Sequence, residues 1–527
     1  MSKRAFASLF IAVFLLAAVL RTARLDLRPM HHDEANQALK FGQLLERGEY
    51  RYDPADHHGP SLYYLSLPFA RALSGASLAG LSEGTLRLVT ASFGLGTLLL
   101  FLLFLPLMGR AAVAWASLAL AVSPAMVYFS RFYIQETILV FFLVGLVAAV
   151  WRYIRRPGWG WAAAAGLCAG MMYATKETSV IAFGGVSAGL LMARAWRKRG
   201  PVIEAEGESR PSAIPPRKAV LSHGLVALGA ALIVSFLLFS SFLQNPRGFL
   251  DSILSFKVYF ARAGEAGFHV QPWNYYLRIF AFSGGHGGSF WSEGLILLLG
   301  LAGAIMAFRA KSRDGADHAF LIFLAVYSAL AAAVYSAIPY KTPWNLLPFY
   351  IGFILLAGSG AAALVALARG NAGKLAVAAV LAAGFAHLGF QAYRANFVYP
   401  ADPRNPYVYA QTVPDFLRLV GRVENLVPLV PERRDMLIKV VAGPYETWPL
   451  PWYLRAFGRV GYWPSAADAG DIDRPPVIIS SSEAAGAIEP VLSLAYRSEY
   501  YGLRPGVLLT LSIRNDIWEA FMKDRAR

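Results

Sequence analysis

Residues 344–367 read WNLLPFYIGFILLAGSGAAALVAL, a run without a single charged side chain. Such a run is long enough to cross the hydrocarbon core of a bilayer, which takes about 20 residues as a helix. Comparable runs recur along the chain, near residues 5–22, 86–108, 111–129, 134–151, 160–175, 178–194, 219–242, 292–308, 319–338, 344–367 and 374–392. The sequence therefore predicts about eleven membrane-spanning helices.

The composition excludes most soluble classes of protein. Hydrophobic residues make up 56% of the 527 residues, charged residues make up 16%, and the mean hydropathy is +0.45. A soluble domain carries about 25% charged residues. Disordered chains and disulfide scaffolds are also excluded, because apolar residues dominate and the single Cys168 has no intrachain partner. We therefore expect an α-helical polytopic membrane protein.

The net charge of +16 follows the predicted topology. If the N-terminus, beside Lys3 and Arg4, lies inside, alternate connections are cytoplasmic and should carry the Lys and Arg residues. These connections do hold basic residues, at Arg110, at Arg152, Arg155 and Arg156, within 194–218, at Arg309, Lys311 and Arg313, and at Arg369 and Lys374. The charge excess therefore reflects membrane topology and not a nucleic-acid interface.

With the N-terminus inside, three long segments fall outside, over residues 23–85, 243–291 and about 393–527. The last of these alternates short β-branched runs with helical patterns. We therefore expect a membrane domain over residues 1–392 and a small extracytoplasmic α/β domain over residues 393–527. The protein would be integral to the cell (cytoplasmic) membrane, with its C-terminal domain outside.

Polar residues gather in the first predicted outside loop, where residues 30–37 read MHHDEANQ. One interpretation is structural, since Asp33 would cap a helix and Glu34 would favour the positive end of its dipole. The other interpretation is functional. An exposed Asp is ionised at neutral pH and accepts a proton from an alcohol, so that Asp33 would be a catalytic base.

Three more polar clusters fall at predicted outer ends of spans. They occupy residues 128–136, 175–178 and 339–345, and they contain Arg131, Lys176 and Lys341. An interfacial belt is one explanation, because Tyr, Trp, Lys and Arg favour the level of the lipid head groups. The other explanation is a polar cavity open to the outside, whose cations bind a phosphate carried on a lipid.

Binding of a divalent metal ion is a further possibility, because the sequence contains a loose set of metal donors. The set consists of His57, His58 and Glu136, of which the two histidines are adjacent in the first loop. Imidazole and carboxylate groups both ligate metals. The sequence contains no metal motif of ordinary spacing.

Taken in order, these motifs resemble the GT-C superfamily of lipid-linked-sugar glycosyltransferases, and within it family 39. That family includes protein O-mannosyltransferases and the aminoarabinose transferase that modifies lipid A. Asp33-Glu34 matches the family's first-loop acidic pair, and Thr175-Lys176 is similar to its short Thr-Lys motif. His58-Gly59-Pro60 matches a His-Pro-Pro-like motif except at Gly59. Closer still is the similarity of residues 32–35, 340–344 and 448–453 to a branch labelled "flippase-activity-associated" in archaeal N-glycosylation clusters.

The resemblance implies inverting transfer of a sugar from a polyprenyl-phosphate-linked donor to a glycan, lipid or protein acceptor on the extracytoplasmic face. Asp33 and Glu34 would be catalytic, and Arg131, Lys176 and Lys341 would bind the phosphate. The partners would be the donor, the acceptor and membrane lipid, with no nucleic acid. The alternative is a transporter, flippase or accessory subunit for lipid-linked saccharides. Transporters place substrate near the bilayer midplane, whereas the charges here lie mainly at span ends, which favours the enzyme.

Overall fold

A computed structural model describes residues 1–56, 58–199, 216–263, 269–284, 290–309, 317–470, 475–492 and 495–526. The chain forms two compact units. The first unit comprises Met1–Leu25, Glu49–Phe69 and Arg87–Val398. The second unit comprises Asp26–Gly48, Ala70–Leu86 and Tyr399–Arg527.

Helices account for most of the described residues before residue 399. They are α1 (Lys3–Thr22), α2 (His32–Arg47), α3 (Ser61–Leu73), α4 (Glu83–Leu100), α5 (Leu105–Val122), α6 (Pro124–Ser130), α7 (Glu136–Arg155), α8 (Trp159–Tyr173), α9 (Ser179–Arg199), α10 (Arg217–Phe239), α11 (Gly248–Ala263), α12 (Tyr275–Ala281), α13 (Gly294–Arg309), α14 (His318–Ala337), α15 (Leu347–Leu367) and α16 (Gly370–Tyr393). Short 3-10 segments cover Phe101–Phe104 and Pro343–Leu346, and a π-helical turn covers Arg394–Val398. A two-stranded ribbon pairs β1 (Ser283–Gly284) with β2 (Phe290–Trp291).

Eight helical segments of the described residues are long and apolar enough to cross a membrane. They are Lys3–Thr22, Glu83–Val122, Glu136–Arg155, Ser179–Lys198, Arg217–Phe239, His318–Ala337, Pro343–Leu367 and Gly370–Val398. The 40-residue segment holds two predicted spans, because Gly109 interrupts it with a φ of 77°. The other two predicted runs correspond to α8 and α13, which at 15 and 16 residues are shorter than a straight bilayer crossing of about 20. The predicted fold class is confirmed.

The break between α5 and α6 lies at Pro124. Proline has no N–H, so the carbonyl of Leu120, four residues earlier, loses its helical partner. Arg21 at the end of α1 replaces that partner, since its Nη2 donates to Leu120 O at 2.7 Å and its Nη1 donates to Ala121 O at 3.0 Å. The Arg21 side chain is 1% exposed. Its charged donors therefore satisfy two buried carbonyls that the break would leave without partners.

Glu293 satisfies the other side of the same break. Its Oε1 accepts the backbone N–H of Ala125 at 2.8 Å, and its Oε2 accepts the hydroxyls of Ser123 at 2.6 Å and Tyr350 at 2.7 Å. The Glu293 side chain is fully buried. A carboxylate at the N-terminus of α6 is also favoured by the helix dipole.

The second unit contains a five-stranded mixed sheet. Its strands are β3 (Ile438–Val441), β4 (Val460–Trp463), β5 (Val477–Ser481), β6 (Tyr496–Arg504) and β7 (Val507–Arg514), in the order β4-β3-β5-β7-β6. β3 pairs in parallel with β4 and β5, whereas β7 pairs antiparallel with β5 and β6. The helices are α17 (Asp415–Leu426), α18 (Pro444–Thr447), α19 (Leu450–Tyr453), α20 (Ser482–Leu492) and α21 (Asn515–Arg525). Short 3-10 segments cover Val427–Leu429 and Arg433–Asp435.

Alternating residues of β5 face two separate cores. Val477 and Ile479 pack in a cluster with α17, while Ile478 packs in a second cluster with Ile488 of α20. Alternation of this kind is what a strand covered on both faces by helices requires. The residues after 399 thus build an α/β layer structure.

Replacing Arg21 with Met should destabilise the first unit. The substitution keeps an unbranched apolar stem but leaves the carbonyls of Leu120 and Ala121 without donors, at about 1–3 kcal/mol for each buried group. The midpoint of thermal unfolding in one fixed detergent measures the effect. Arg110→Met is the matched control, because among the described residues Arg110 donates only to Met1 O at an exposed position, so its loss should shift the midpoint little. Equal midpoints for both variants would contradict the role of Arg21.

Candidate active site

The N-terminus of α2 carries the predicted base. His31, and not Asp33, is the N-cap residue, because its Nδ1 accepts the N–H of Asp33 at 3.0 Å. Glu34 completes a capping box by accepting the His31 N–H at 3.1 Å. Glu34 is fully buried, with Arg28 Nη2 3.8 Å from its Oε1. The structure therefore corrects the capping interpretation of Asp33, and it places Glu34 where it holds the loop.

The Asp33 carboxylate is left available by this arrangement. Its side chain is 41% exposed and accepts no hydrogen bond from any residue that the structure describes. The His31 ring lies 3.7 Å away, but its Nδ1 presents a lone pair to the Asp33 N–H, so the two side chains do not form an ion pair. An exposed carboxylate at the start of a rigid helix has the chemistry of a general base.

Segments from the C-terminal part of the second unit hold this loop. Tyr453 Oη accepts the N–H of Met30 at 2.9 Å, and Thr412 Oγ1 donates to Met30 O at 2.8 Å. His31 Nε2 lies 3.0 Å from the carbonyl of Tyr409. The residue that precedes the cap and the cap itself are therefore both fixed by side chains and backbone from residues 409–453.

His31 is held in its neutral form. Its Nδ1 accepts the Asp33 N–H, so the single ring proton lies on Nε2 and is donated to Tyr409 O. Burial lowers the pKa of His31, and this outweighs the neighbouring carboxylates of Asp33 and Glu34, which raise it. A second proton would have to enter at Nδ1, where it would face the N–H that this nitrogen accepts.

Arg504 in the second unit interacts electrostatically with Asp33. It lies at the end of β6, and its Nη2 donates to Tyr445 O at 2.8 Å and to Trp448 O at 3.1 Å. Burial lowers the pKa of Arg504, while the negative charges of Asp33 and Glu446 raise it. The His32 ring packs against Trp448 with centroids 5.4 Å apart.

The structure describes five of the residues predicted to bind phosphate or metal, and all five belong to the first unit: Arg131, Glu136, Lys176, Lys341 and His58. Asp33 and Glu34 belong to the second unit. Lys176, in the turn between α8 and α9, forms a buried ion pair with Glu136 at the start of α7. The Lys176 Nζ also lies 3.4 Å from Asn345 Oδ1 in the 3-10 segment. An ammonium has three donors, so this pairing leaves Lys176 one further donor for an anion.

His58 pairs with Glu177, whose Oε2 lies 3.0 Å from His58 Nδ1. Gly59 makes this contact attainable, because a Cβ at that position would lie only 2.2 Å from Ala174 O. Ser61, two residues after Gly59, donates its N–H to the same Ala174 carbonyl at 3.0 Å. The departure from the family motif at Gly59 is thus explained by a close backbone contact.

Arg131 and Lys341 are bound mainly to backbone carbonyls. Arg131 donates to three carbonyls at and just beyond the C-terminal end of α1, with distances of 2.8–3.0 Å to Leu20 O, Ala23 O and Arg24 O. Lys341 Nζ donates to Gln271 O at 2.9 Å and to Ile338 O at 2.6 Å. Both cations are therefore fixed in position, and Arg131 closes a helix terminus.

The two predicted metal donors that the structure describes, Glu136 and His58, are each paired with another side chain. Glu136 is paired with the Lys176 ammonium, which repels a second cation, and His58 is paired with Glu177. His57 lies outside the described residues. Within the described ranges, no group of three His, Cys, Asp or Glu side chains is placed to hold a metal ion.

Two residues near the candidate base escape the sequence argument. Trp448 lies in the 448–453 motif, from which no role could be assigned to it. Arg504 is the last residue of a strand, and the surrounding sequence contains no motif that marks it. An arginine at the end of a strand gives no signal of a partner about 470 positions earlier in the chain. The exposed charge of Asp33, by contrast, is visible in the sequence.

His31→Asn should reduce the acid sensitivity of the protein. Because burial lowers the folded pKa of His31, the unfolded chain binds the proton more readily once the pH falls below about 6.5. The stability contributed by neutral His31 is therefore present above that pH and is lost as the pH falls. Asn also caps helices but does not titrate. The unfolding midpoint should drop less between pH 7 and pH 5 in the variant, and identical drops would refute this role.

Gly59→Ala should disturb the Ala174–Glu177 turn. The added Cβ meets a backbone carbonyl that cannot rotate away, and overpacking of this kind costs about 1–3 kcal/mol. The unfolding midpoint of the purified protein should fall. Gly160→Ala is the control, since a Cβ there meets nothing within 4 Å and alanine favours the helix. A Gly59→Ala midpoint at or above that of the control would be incompatible with the close contact.

Comparison with known proteins agrees with the membrane architecture. Residues 11–244, less than half of the chain, match the family model described as dolichyl-phosphate-mannose-protein mannosyltransferase. No curated protein sequence matches the chain significantly.

Solved structures match over nearly the whole chain. ArnT from Cupriavidus metallidurans bound to undecaprenyl phosphate is 17% identical with a TM-score of 0.58, and the match covers 97% of this chain and 98% of that chain. The apo oligosaccharyltransferase from Archaeoglobus fulgidus is 13% identical with a TM-score of 0.56, over 95% and 74% of the two chains. At such low identity the likeness shows the fold. The chain therefore shares the fold of these membrane glycosyltransferases, as the resemblance inferred from the sequence implied, and its residues 11–244 are similar to the mannosyltransferase family model.

Proposed function

We propose that this protein transfers a sugar from a polyprenyl-phosphate-linked donor to an acceptor hydroxyl on the extracytoplasmic face of the membrane, with inversion at the anomeric carbon. The observation that carries the proposal is the Asp33 carboxylate, 41% exposed at the start of α2 in a chain with the GT-C fold. A lipid-linked donor accounts for a membrane enzyme, because its tail stays in the bilayer. The structural relative ArnT was solved with undecaprenyl phosphate.

Asp33 acts as the base. Its carboxylate takes the proton of the acceptor hydroxyl as that oxygen attacks the anomeric carbon, while the bond from that carbon to the donor phosphate oxygen breaks. The electron pair of the broken bond stays on the departing polyprenyl phosphate. Attack from the face opposite the leaving group inverts the anomeric centre. Glu34 and His31 keep Asp33 oriented through the capping box.

Lys176 neutralises the departing phosphate. Negative charge grows on the leaving oxygen, and a fixed cationic donor stabilises that charge better in the transition state than in the ground state. The Glu136 and Asn345 contacts hold the Lys176 ammonium in one place without consuming all of its donors. Lys341 and Arg131, held by backbone carbonyls, add fixed positive charge at outer helix ends.

The transporter alternative gains no support from the comparisons. Transporters bind substrate near the midplane on discontinuous helices. The charged residues with proposed roles here lie at helix starts and in turns, such as Asp33 at the start of α2 and Lys176 after α8. An enzyme that releases a spent lipid carrier fits this placement better.

Asp33→Asn and Lys176→Ala should each abolish most sugar transfer. Loss of the base removes the proton acceptor, and loss of one preorganised electrostatic donor costs about 100-fold in rate. The assay uses proteoliposomes with a panel of radiolabelled polyprenyl-phosphate sugars, and follows both label transfer and leaflet crossing.

Asp26→Asn and Lys257→Ala are matched controls, since both side chains are exposed and should retain full transfer. Wild-type transfer without leaflet crossing supports the enzyme. Full transfer by Asp33→Asn, or leaflet crossing by the wild type without transfer, would overturn the assignment.

A further inference from the structure

Aromatic and charged residues of the second unit are linked to one another through His32, the chain neighbour of Asp33, and through Arg504, on which the Asp33 charge acts. His32, Tyr445, Trp448 and Arg504 form this group, which we name the Trp448 cluster. We propose that the Trp448 cluster binds a neutral saccharide acceptor and presents one of its hydroxyls to Asp33. The proposal rests on the proposed function, because it names the acceptor class of that reaction.

Arg504 holds the cluster together through its Nη2 group and has further N–H donors for a ligand. Its Nη2 bonds to two carbonyls fix the turn that carries Tyr445 and Trp448. Its Nη1 makes no hydrogen bond to any residue in the described ranges, and its Nε is buried without a partner there. A guanidinium that retains unmatched N–H groups beside a carboxylate is equipped to bind a ligand that offers hydroxyl oxygens.

The aromatic rings supply a flat apolar surface. Tyr445 is 76% exposed, and Trp448 is half-buried with its ring 5.4 Å from that of His32 at an interplanar angle of 32°. Rings of this kind offer apolar area that a bound ligand can cover. A pyranose ring has an apolar C–H face and a hydroxyl edge. Its two surfaces therefore match the rings on one side and the Arg504 and Asp33 charges on the other.

The charge balance selects a neutral ligand. Two carboxylates, Asp33 and Glu446, act on the one guanidinium of Arg504, and His31 is held neutral by its hydrogen bonds. These two carboxylates outnumber the guanidinium on which they act, which disfavours a phosphorylated or carboxylated acceptor beside Arg504. A saccharide with free hydroxyls meets no such penalty.

A peptide acceptor is disfavoured at the neighbouring sheet edge. β6 is an edge strand, and peptides often bind such strands by adding one more strand. Next to Arg504, however, Leu503 O already accepts the Val413 N–H at 3.0 Å, and the Gly502 N–H is donated to Asp415 Oδ2 at 2.8 Å. At this end of β6, two of the backbone groups that an added strand would use are therefore occupied.

Binding without donor tests the proposal directly. Purified full-length protein in lipid nanodiscs is titrated with methyl α-D-mannopyranoside, methyl β-D-galactopyranoside and maltotriose, and separately with a Ser- and Thr-containing hexapeptide. Saturation-transfer NMR and tryptophan fluorescence report binding. At least one saccharide should bind, and Trp448→Ala and Arg504→Gln should each weaken that binding about tenfold or more, whereas the peptide should not bind.

Two further variants separate recognition from folding. Trp448→Phe keeps a ring face and should bind within about threefold of the wild type. Tyr500→Ala removes another exposed ring of the same unit, which bonds to Glu489, and should bind like the wild type. Unchanged binding by Trp448→Ala, no saccharide binding by the folded wild type, or binding of the peptide alone would overturn the proposal.

Because no donor is present, this experiment and the transfer assay fail independently. Saccharide binding with no transfer from any donor would remove the proposed function and leave the subsite. Transfer to a non-saccharide acceptor with no saccharide binding would remove the subsite and leave the transferase.

Discussion

Backbone polar groups that are shielded from water must find partners within the protein, and the interruption between α5 and α6 leaves several such groups to be satisfied by side chains. Arg21 donates to the carbonyls left over on one side of Pro124, and Glu293 accepts the N–H of Ala125 on the other. The two side chains come from the end of α1 and the start of α13, so one proline connects three distant stretches. Arg131 repeats this arrangement at the end of α1. Charged groups bonded to the main chain therefore hold these helix ends in place.

Hydropathy alone predicted the helices because each span depends on local composition. Residues 344–367 and their counterparts were recognisable without knowledge of any contact, and even the short α8 and α13 coincide with predicted runs. The partners of Arg21 were not predictable, since they lie about 100 positions along the chain and nothing in the local pattern specifies them. The π-helical turn Arg394–Val398 also follows from packing and has no signal in the sequence.

The sequence predicted those features of the candidate site that follow from the type of a residue. It did not predict those that depend on which atoms surround that residue in the fold. Asp33, Lys176 and Glu136 stood out as charges beside apolar runs, and Lys176 and Glu136 do form a buried pair. The cap was assigned to Asp33 because aspartate is a common N-cap residue, whereas histidine takes that place here through its ring nitrogen. Arg131 looked like an anion binder, yet most of its donors go to carbonyls. Residue type indicates charge but not the atoms that surround it.

The support of Met30 by Tyr453 and Thr412 has an evolutionary consequence. A loop that bears the proposed base relies on hydroxyls encoded roughly 400 codons downstream. Recombination that grafts a foreign tail onto this chain would bring unmatched hydroxyls to that loop, even if the tail folded perfectly. In homologous proteins the loop and the tail should therefore change together during evolution. A functional chimaera should exchange both segments or neither.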